Sequence, residues 1–383
     1  MSRPVWRRTG LVLLALVSLQ LGTLVWPAYA CGCGGLVPGR NTTVAVAREA
    51  SVVRWDGRTE EIVMSLTVGG DAHEAAWIMP VPHRATVRLG NRALFDEVRE
   101  VTAPVHRTRH YFWPRPGDWP FDDRKVGYVD GAGAPDGAGA KAPPRVGVVS
   151  RERLGPFDVA RLTATDPGAL RDWLKEHGFQ LPDRLAEGLK PYVRAKWEYV
   201  AVRLAPAADA RGEDAKEVLG GTLDPLRLTF DSNRLVYPMR LSRLAKTPQN
   251  LELYVLAPHR MEPRGDIGGG APRVTYAGWF TPGQAPLGDL AELAGRRMFL
   301  TGFEQSFPRP ELINGDHELR RAEKDGTYQR VTYDHKLLTI GGIPAWLLTV
   351  GGGLLAVVAA ALTLLTAVRR RRRGRGALFM TSP

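Results

Sequence analysis

The longest uncharged stretch of the chain, residues 343–368, constrains the fold more than any other feature. It holds about 26 residues, whereas a helix needs only about 20 apolar residues to cross a hydrocarbon core about 30 Å thick. The surplus is typical of a tilted helix, or of one whose Pro344 and Trp346 lie at the membrane interface. We therefore predict a transmembrane helix at 340–368, and the length disfavours the alternative of a buried core helix.

Arginines follow this stretch at once, five at 369–373 and a sixth at 375. Moving such a block through lipid is costly, so it stops transfer and stays inside the cell. We predict a single-pass plasma-membrane protein with an extracellular N-terminal domain and a cytoplasmic tail at 369–383. A cell-wall sorting signal ends similarly but needs Leu-Pro-x-Thr-Gly. Residues 337–342 lack that proline and spacing, so the helix is expected to be retained.

The N-terminus has the three parts of an export signal. Three arginines within the first eight residues precede an apolar stretch at 11–25, and Ala28-Tyr29-Ala30 has the small-x-small form of a signal-peptidase site. We predict cleavage after Ala30, which makes 1–30 a signal peptide. An uncleaved N-terminal anchor is the alternative.

The formal net charge of +12 invites a nucleic-acid interpretation, but its distribution does not support one. Nine arginines belong to the two ends already described, which contain no acidic residue, and setting them aside leaves +3 on the rest of the chain. Binding to nucleic acid would require a basic patch on one face, so no nucleic-acid partner is predicted. The expected partners are the lipid bilayer and an envelope protein or cell-wall component.

Residues 31–339 are predicted to form the extracytoplasmic body. Its hydrophobic pattern mixes strands and helices without regular alternation, which predicts an α+β fold with mixed or antiparallel sheets and a few short helices. The pattern also allows two lobes, divided near residue 145. Hydrophobic residues make up 44% of the whole chain, enough for a sizeable core.

The clearest local signal in the body is a β-hairpin. Val44–Trp55 predicts a strand, Asp56-Gly57 a two-residue turn and 61–68 the returning strand. Further strands are predicted at 75–79, 85–89, 155–163, 197–204, 226–230, 235–241, 251–257 and 274–280. Helices are predicted at 91–101 with Asn91 as cap, at 166–178, at 185–189 continuing at 192–196, and at 288–297. Loops are predicted at 127–144, 206–221 and 261–272.

Several distinctive sequence blocks follow one another over most of this body. They are Cys31-Gly32-Cys33-Gly34, Trp55-Asp56-Gly57-Arg58-Thr59-Glu60-Glu61, Ala76-Trp77-Ile78-Met79-Pro80-Val81-Pro82, Leu154-Gly155-Pro156-Phe157-Asp158-Val159, Asp172-Trp173-Leu174 with His177-Gly178, and Val236-Tyr237-Pro238-Met239-Arg240-Leu241-Ser242. Together they resemble an uncharacterised bacterial family, DUF2330. The resemblance extends to the architecture, with an export signal first and a single anchor last. It implies no activity, ligand or catalytic residue.

The two cysteines, Cys31 and Cys33, are separated by one residue. Such a pair can bind a soft metal such as Cu(I), cycle as an easily reduced disulfide, or form a small local disulfide without further function. Lipidation of Cys31 is another alternative, although Ala28 and Tyr29 fit the lipobox pattern poorly. The pair is a weak metal candidate, and we assign no metal and no cofactor.

Histidines give no stronger metal signal. His106 and His110 stand four apart, which would place both on one face of a helix, but the following Tyr-Phe-Trp-Pro sequence is not helical in character. His73-Glu74 and His317-Glu318 begin like His-Glu-x-x-His, yet the second histidine is absent from both. Solvent-facing or core histidines are the simpler interpretation.

Aromatic and proline residues suggest a binding groove. Trp77, Pro80, Pro82 and Tyr237 would suit a groove for a peptide or glycan. The alternative is structural, with the prolines fixing an edge strand or turn and the aromatics filling the core.

A large folded domain without a catalytic motif favours a non-enzymatic, membrane-tethered binding or interaction module of the bacterial envelope. The alternative is an envelope enzyme, a hydrolase or a thiol- or metal-dependent redox protein, whose site is assembled from residues distant in sequence. A pocket with converging His, Asp, Glu or Cys side chains would favour the enzyme.

Overall fold

A computed structural model of the chain describes residues 30–31, 34–116, 118, 152–154, 157–162, 167–204, 218–283 and 288–376. Contacts divide the chain into two compact units, one of residues 1–104 with 144–330 and one of 105–143 with 331–383. The signal peptide predicted at 1–30, apart from Ala30, the loop predicted at 127–144 and most of the loop predicted at 206–221 lie outside the described residues.

The secondary structure mixes strands with shorter helical segments. The described strands are β1 (Ala30–Cys31), β2 (Gly34–Pro38), β3 (Val44–Trp55), β4 (Thr59–Gly70), β5 (Ala75–Val81), β6 (Thr86–Leu89), β7 (Val105–Tyr111), β8 (Glu152–Leu154), β9 (Phe157–Leu162), β10 (Glu198–Leu204), β11 (Gly221–Thr222), β12 (Leu226–Asp231), β13 (Leu235–Tyr237), β14 (Gln249–Ala257), β15 (Met261–Pro263), β16 (Arg273–Phe280), β17 (Met298–Phe307), β18 (His317–Arg321), β19 (Tyr328–Gln329), β20 (Val331–Leu337), β21 (Thr339–Ile340) and β22 (Ile343–Pro344). The described α-helices are α1 (Ala93–Val101), α2 (Pro167–Glu176), α3 (Asp183–Arg194), α4 (Gly288–Ala294) and α5 (Ala345–Gly376). Short 3-10 helices cover Arg240–Leu244 and Pro310–Leu312.

The largest sheet belongs to the first unit and has nine strands. Their order is β19-β16-β17-β14-β3-β4-β12-β6, with β11 beside β4. The sheet is mixed because β3 runs parallel to β14 and antiparallel to β4. Adjacent residues of a strand point to opposite faces, yet Val52 and Val53 are both fully buried. Both faces of the sheet are therefore covered, which explains consecutive buried apolar residues such as Ile62-Val63-Met64 in its strands.

A second, antiparallel sheet has the order β1-β2-β5-β10-β9-β8. All seven residues of β5 are buried. Ile78 packs in one cluster with Leu174 of α2 and Leu185 of α3, whereas its neighbour Trp77 belongs to the main core. Helices thus cover one face of this sheet and the main core covers the other.

The main core of the first unit lies where three sheets meet. It joins Val53 and Ile62 of the nine-stranded sheet, Trp77 of the second sheet, and Leu235 and Leu319 of a three-stranded sheet with the order β13-β18-β15. On the outer face of the nine-stranded sheet, α1 and α4 pack against β3 and β4. The first unit is therefore layered helix, sheet, sheet, helix, with both sheets internal.

The second unit contains the C-terminal helix. Its strands β7 and β20 pair in parallel over seven residues, and β21 and β22 form a short antiparallel pair. Gly341 and Gly342, both with positive φ, make the turn between them, so α5 begins at Ala345 and not at 340. Residues Ala345–Arg371 are long and apolar enough to cross a membrane.

The α+β prediction, with mixed and antiparallel sheets and one apolar C-terminal helix, is confirmed. The hairpin turn differs by one residue from the prediction at Asp56-Gly57. Trp55 pairs with Glu60 and the Asp56 N–H donates to the Thr59 carbonyl at 3.3 Å. The two turn residues are therefore Gly57, with φ +101°, and Arg58. The positive φ required at the first turn position selects the glycine.

Other elements also differ from their predictions, among them the helix predicted at 288–297, which ends at Ala294. The strand predicted at 235–241 ends at Tyr237, because Asp316 accepts the N–H groups of Met239 and Arg240 at 2.9 Å each and the chain turns into a 3-10 helix. The loop predicted at 261–272 contains the short strand β15, which pairs with β18. The two helical segments at 185–196 form one helix, α3, with Pro191 inside it.

Candidate functional site

The structure places three of the four predicted groove residues in the interior. Trp77, Pro80 and Tyr237 are buried and Pro82 is half-buried. Trp77 and Tyr237 both belong to the main core. Their burial favours the structural alternative, in which aromatics fill the core, and a binding role for these residues stays a prediction.

The cysteine pair is only partly described. Cys31 lies on β1, where it pairs with Gly34, and Cys33 lies outside the described residues. The metal and redox interpretations of this pair stay predictions.

The candidate zinc histidines lie on a strand. His106 and His110 belong to β7, so the helical spacing that suggested a zinc site does not apply. His106 Nδ1 lies 3.2 Å from Asp334 Oδ2 on the paired strand β20. Among the described residues, no three His, Cys, Asp or Glu side chains converge in a way that could hold a metal ion.

The main core contains a polar cluster around the Tyr237 hydroxyl. This hydroxyl donates to Glu49 and lies 2.6 Å from Ser51 Oγ. Glu49 and Ser51 are two residues apart on β3, so both point into the same face of the sheet. The three side chains are almost fully buried. The cluster thus cross-links the nine-stranded and three-stranded sheets and has no direct access to solvent.

Two more ionisable groups are buried near this cluster. Glu60 accepts the Val236 N–H at 3.3 Å. Burial raises the pKa of Glu60 well above its usual value, and the hydrogen bonds from Val236 and Ser232 offset only part of this effect. His317 is 1% exposed and neither of its ring nitrogens has a hydrogen-bond partner. Burial lowers the pKa of His317 to about 4, only partly opposed by the charge of Asp316. Both groups therefore favour their neutral forms in the fold.

A solvent-open pocket at one end of the nine-stranded sheet is the strongest candidate binding site. We call it the end pocket, and its volume is about 950 Å³, within the range of small-molecule sites. Four connections build it. They are the β3–β4 hairpin at 54–59, His83 after β5, the β12–β13 turn at 231–233 and the chain after α4 at 294–296.

Hydrogen bonds fix two of these connections to each other. The Ser232 N–H donates to the Arg58 carbonyl at 2.7 Å, and Trp55 Nε1 donates to the Ser232 carbonyl at 3.0 Å. Ser232 itself is buried. Beside the pocket, the Arg297 guanidinium stacks 4.2 Å over the Trp279 ring, which anchors the chain after α4. The pocket rim is therefore held by the scaffold, as binding loops on rigid sheets often are.

Charged and polar side chains dominate this pocket. Arg54, Arg58 and Arg296 contribute guanidinium groups, and Asp56 and Asp231 contribute carboxylates. Arg54 Nη2 lies 3.1 Å from Asp56 Oδ2. Burial alone would raise the pKa of Asp56, but the N–H groups of Thr59 and Arg58 and the charge of Arg54 outweigh it and lower that pKa. Asp56 is therefore a structural carboxylate of the hairpin.

Sequence reasoning missed the end pocket. Its residues come from four segments between positions 54 and 296, and no spacing within any single segment suggests a site. The one available signal was the hairpin turn, because the loops at one end of a sheet meet in space. The partners of that turn depend on strand pairings that local patterns do not encode.

Comparisons with known proteins give a family and little more. The model of the family described as "Uncharacterized protein conserved in bacteria (DUF2330)" matches residues 27–320. No curated protein matches this chain significantly. A crystal structure of baculovirus P35 aligns over 76% of this chain and 97% of that chain, with 10% sequence identity and a TM-score of 0.30. That likeness is too low to support any argument about function.

Proposed function

We propose, from the premise that the chain belongs to the DUF2330 family of uncharacterized bacterial proteins, that it is a membrane-anchored binding module of the cell envelope. In this proposal α5 holds the protein in the plasma membrane and the arginines after it stay in the cytoplasm. Residues 31–339 face the outside, where they meet an envelope protein or a cell-wall component. The apolar character of Ala345–Arg371 and the arginine block support the anchoring.

The end pocket carries the binding part of the proposal. It is open to solvent, large enough for a small ligand or a protruding chain end, and formed by connections that hydrogen bonds hold in place. Pre-formed sites of this kind lose little entropy on binding. The envelope-enzyme alternative gains no specific support from the Tyr237 cluster, since its side chains are buried.

Site-specific photo-crosslinking tests the binding proposal. A photoreactive residue replaces Asn233, an exposed residue of the end pocket, in the full-length chain in its native membrane. The matched control carries the same group at exposed Arg243, which does not line this pocket. A discrete product formed only from position 233 supports the proposal. Identical products from both positions, or none from position 233, contradict it.

A further inference from the structure

The end pocket has more cationic than anionic groups. Its lining contains three guanidinium groups and two carboxylates. The guanidinium groups belong to Arg54, Arg58 and Arg296, and the carboxylates to Asp56 and Asp231. His83 adds an imidazole N–H donor to the lining. The balance favours a ligand with negative charge.

One of the two carboxylates is already committed. Asp56 Oδ1 accepts the N–H groups of Arg58 at 3.0 Å and Thr59 at 2.9 Å, and its second oxygen pairs with Arg54. These bonds close the hairpin turn, so Asp56 does not neutralise another cation of the pocket. Asp231 is the remaining carboxylate of the lining.

Among the described residues, no ion pair is found for the guanidinium group of Arg58 or of Arg296, whereas that of Arg54 pairs with Asp56. The side chains of Arg58 and Arg296 are exposed. They come from different connections, the hairpin and the chain after α4, and line the same volume. Two guanidinium groups without an ion pair, on different connections, can each offer parallel N–H donors to one anion.

We propose that the end pocket binds a phosphate-bearing ligand through Arg58 and Arg296. This deepens the proposed function, on which it rests, by naming the chemistry of the envelope component. A carboxylate presents two oxygens and is satisfied by one guanidinium. A phosphate presents more acceptor oxygens and more charge, and so uses donors from several directions. The pocket volume leaves room for a sugar or glycerol attached to the phosphate.

Calorimetric titration of the full-length chain in a maltoside detergent tests this inference. Glycerol 3-phosphate is the probe, and glucuronate is the carboxylate comparison. Saturable binding of glycerol 3-phosphate is expected, with weaker binding of glucuronate. The Arg58→Ala, Arg296→Ala variant should raise the Kd about tenfold or more, and Arg58→Lys, Arg296→Lys should raise it less, because lysine keeps the charge but loses the paired donors.

A second variant controls for charge alone. Arg88→Ala with Arg243→Ala removes two exposed arginines that lie outside the end pocket, and it should bind like the wild type. Circular dichroism of each variant shows whether the fold is kept. Equal weakening in both alanine pairs would reduce the effect to general attraction and overturn the inference. So would glucuronate binding as tightly as glycerol 3-phosphate, or no saturable binding by a folded wild-type chain.

Two further probes distinguish the source of the phosphate. Soluble dihexanoyl phosphatidylglycerol represents a lipid headgroup, and short oligomers of glycerol phosphate represent an envelope polymer. The probe that binds more tightly identifies the source of the phosphate, and either result agrees with the inference. If phosphate compounds fail to bind while the cross-link from position 233 persists, the phosphate inference fails and the proposed binding function stands. If position 233 gives no specific cross-link, the proposed function itself is contradicted.

Discussion

Tyr237 and His317 are direct cross-strand neighbours in the antiparallel pair of β13 and β18, and both side chains are buried. Paired residues place their side chains next to each other on one face of a sheet. The Tyr237 hydroxyl bonds to Glu49 and Ser51, whereas neither nitrogen of His317 has a hydrogen-bond partner. Because no hydrogen bond compensates the burial of His317, protonation of its ring should cost the fold stability.

We expect His317 to make the fold sensitive to mild acid. Its pKa in the fold is about 4, below the ordinary value of 6.5, because burial disfavours the charged ring. Between these values the unfolded chain binds the proton and the folded chain does not. The contribution of His317 to the free energy of unfolding is therefore fully present above about pH 6.5 and is lost as the pH drops toward 4. The full loss is about 3 kcal/mol.

Urea unfolding of the full-length chain at several pH values measures this effect. The His317→Leu variant removes the titrating group and fills the same buried position. Its free energy of unfolding should fall less than that of the wild type between pH 7 and about pH 4. Parallel pH profiles for the two proteins would show that His317 does not titrate in this way.

Glu60 should act in the opposite direction. Burial raises its pKa well above 4.5, so the folded chain holds the proton when the unfolded chain has released it. Its contribution to stability is therefore lost as the pH rises above the unfolded value. Glu60→Gln keeps the shape and the acceptor for the Val236 N–H but needs no proton. We expect it to raise the free energy of unfolding at pH 7 by about 1 kcal/mol or more, with little change near pH 4.

The neighbouring carboxylate provides the control for this substitution. Glu61 pairs with Arg227 at 2.5 Å, so Glu61→Gln removes a favourable charge interaction and should not stabilise the protein at pH 7. A gain of similar size from both substitutions would contradict the assignment of the cost to Glu60.

Gly268 is expected to tolerate no side chain. Its φ is +65°, and a Cβ there would lie 2.4 Å from Cδ1 of Phe307, which is fully buried. Gly268→Ala should lower the free energy of unfolding by about 2–3 kcal/mol through strain and displaced packing. Gly269→Ala is the matched control, since φ is also positive there but the nearest atom is 3.8 Å away. It should cost only about 1 kcal/mol, and equal losses in urea unfolding would exclude the steric explanation.

Sequence patterns predicted those parts of the fold that depend on local chemistry. The strand β3 follows from its valines and from the turn signal after Trp55, and the apolar part of α5 follows from its length without charge. The end of β13 could not be predicted, because Asp316, distant in sequence, supplies the acceptor that turns the chain at Met239. The pairing of β3 with β14 joins residues about 200 apart, and no local pattern encodes it.

The candidate site was harder to predict for the same reason. Arg58 and Arg296 read separately as ordinary surface arginines, and only the folded connections bring them to one pocket. Trp77 and Tyr237 drew attention as aromatic residues near prolines, yet these side chains fill the core. Local composition thus identified packing residues and did not identify the residues that face the pocket.

The orientation of the chain in the membrane is the central claim, and labelling of single cysteines with a membrane-impermeant maleimide tests it most directly. In a background with Cys31→Ser and Cys33→Ser, one protein carries Asn233→Cys in the end pocket and another carries Ser382→Cys in the tail. We predict that the maleimide labels the cysteine at position 233 in intact cells whose wall has been made permeable. The cysteine at position 382 should react only after the membrane is opened. Labelling of position 382 in intact cells, with position 233 protected, would contradict the account.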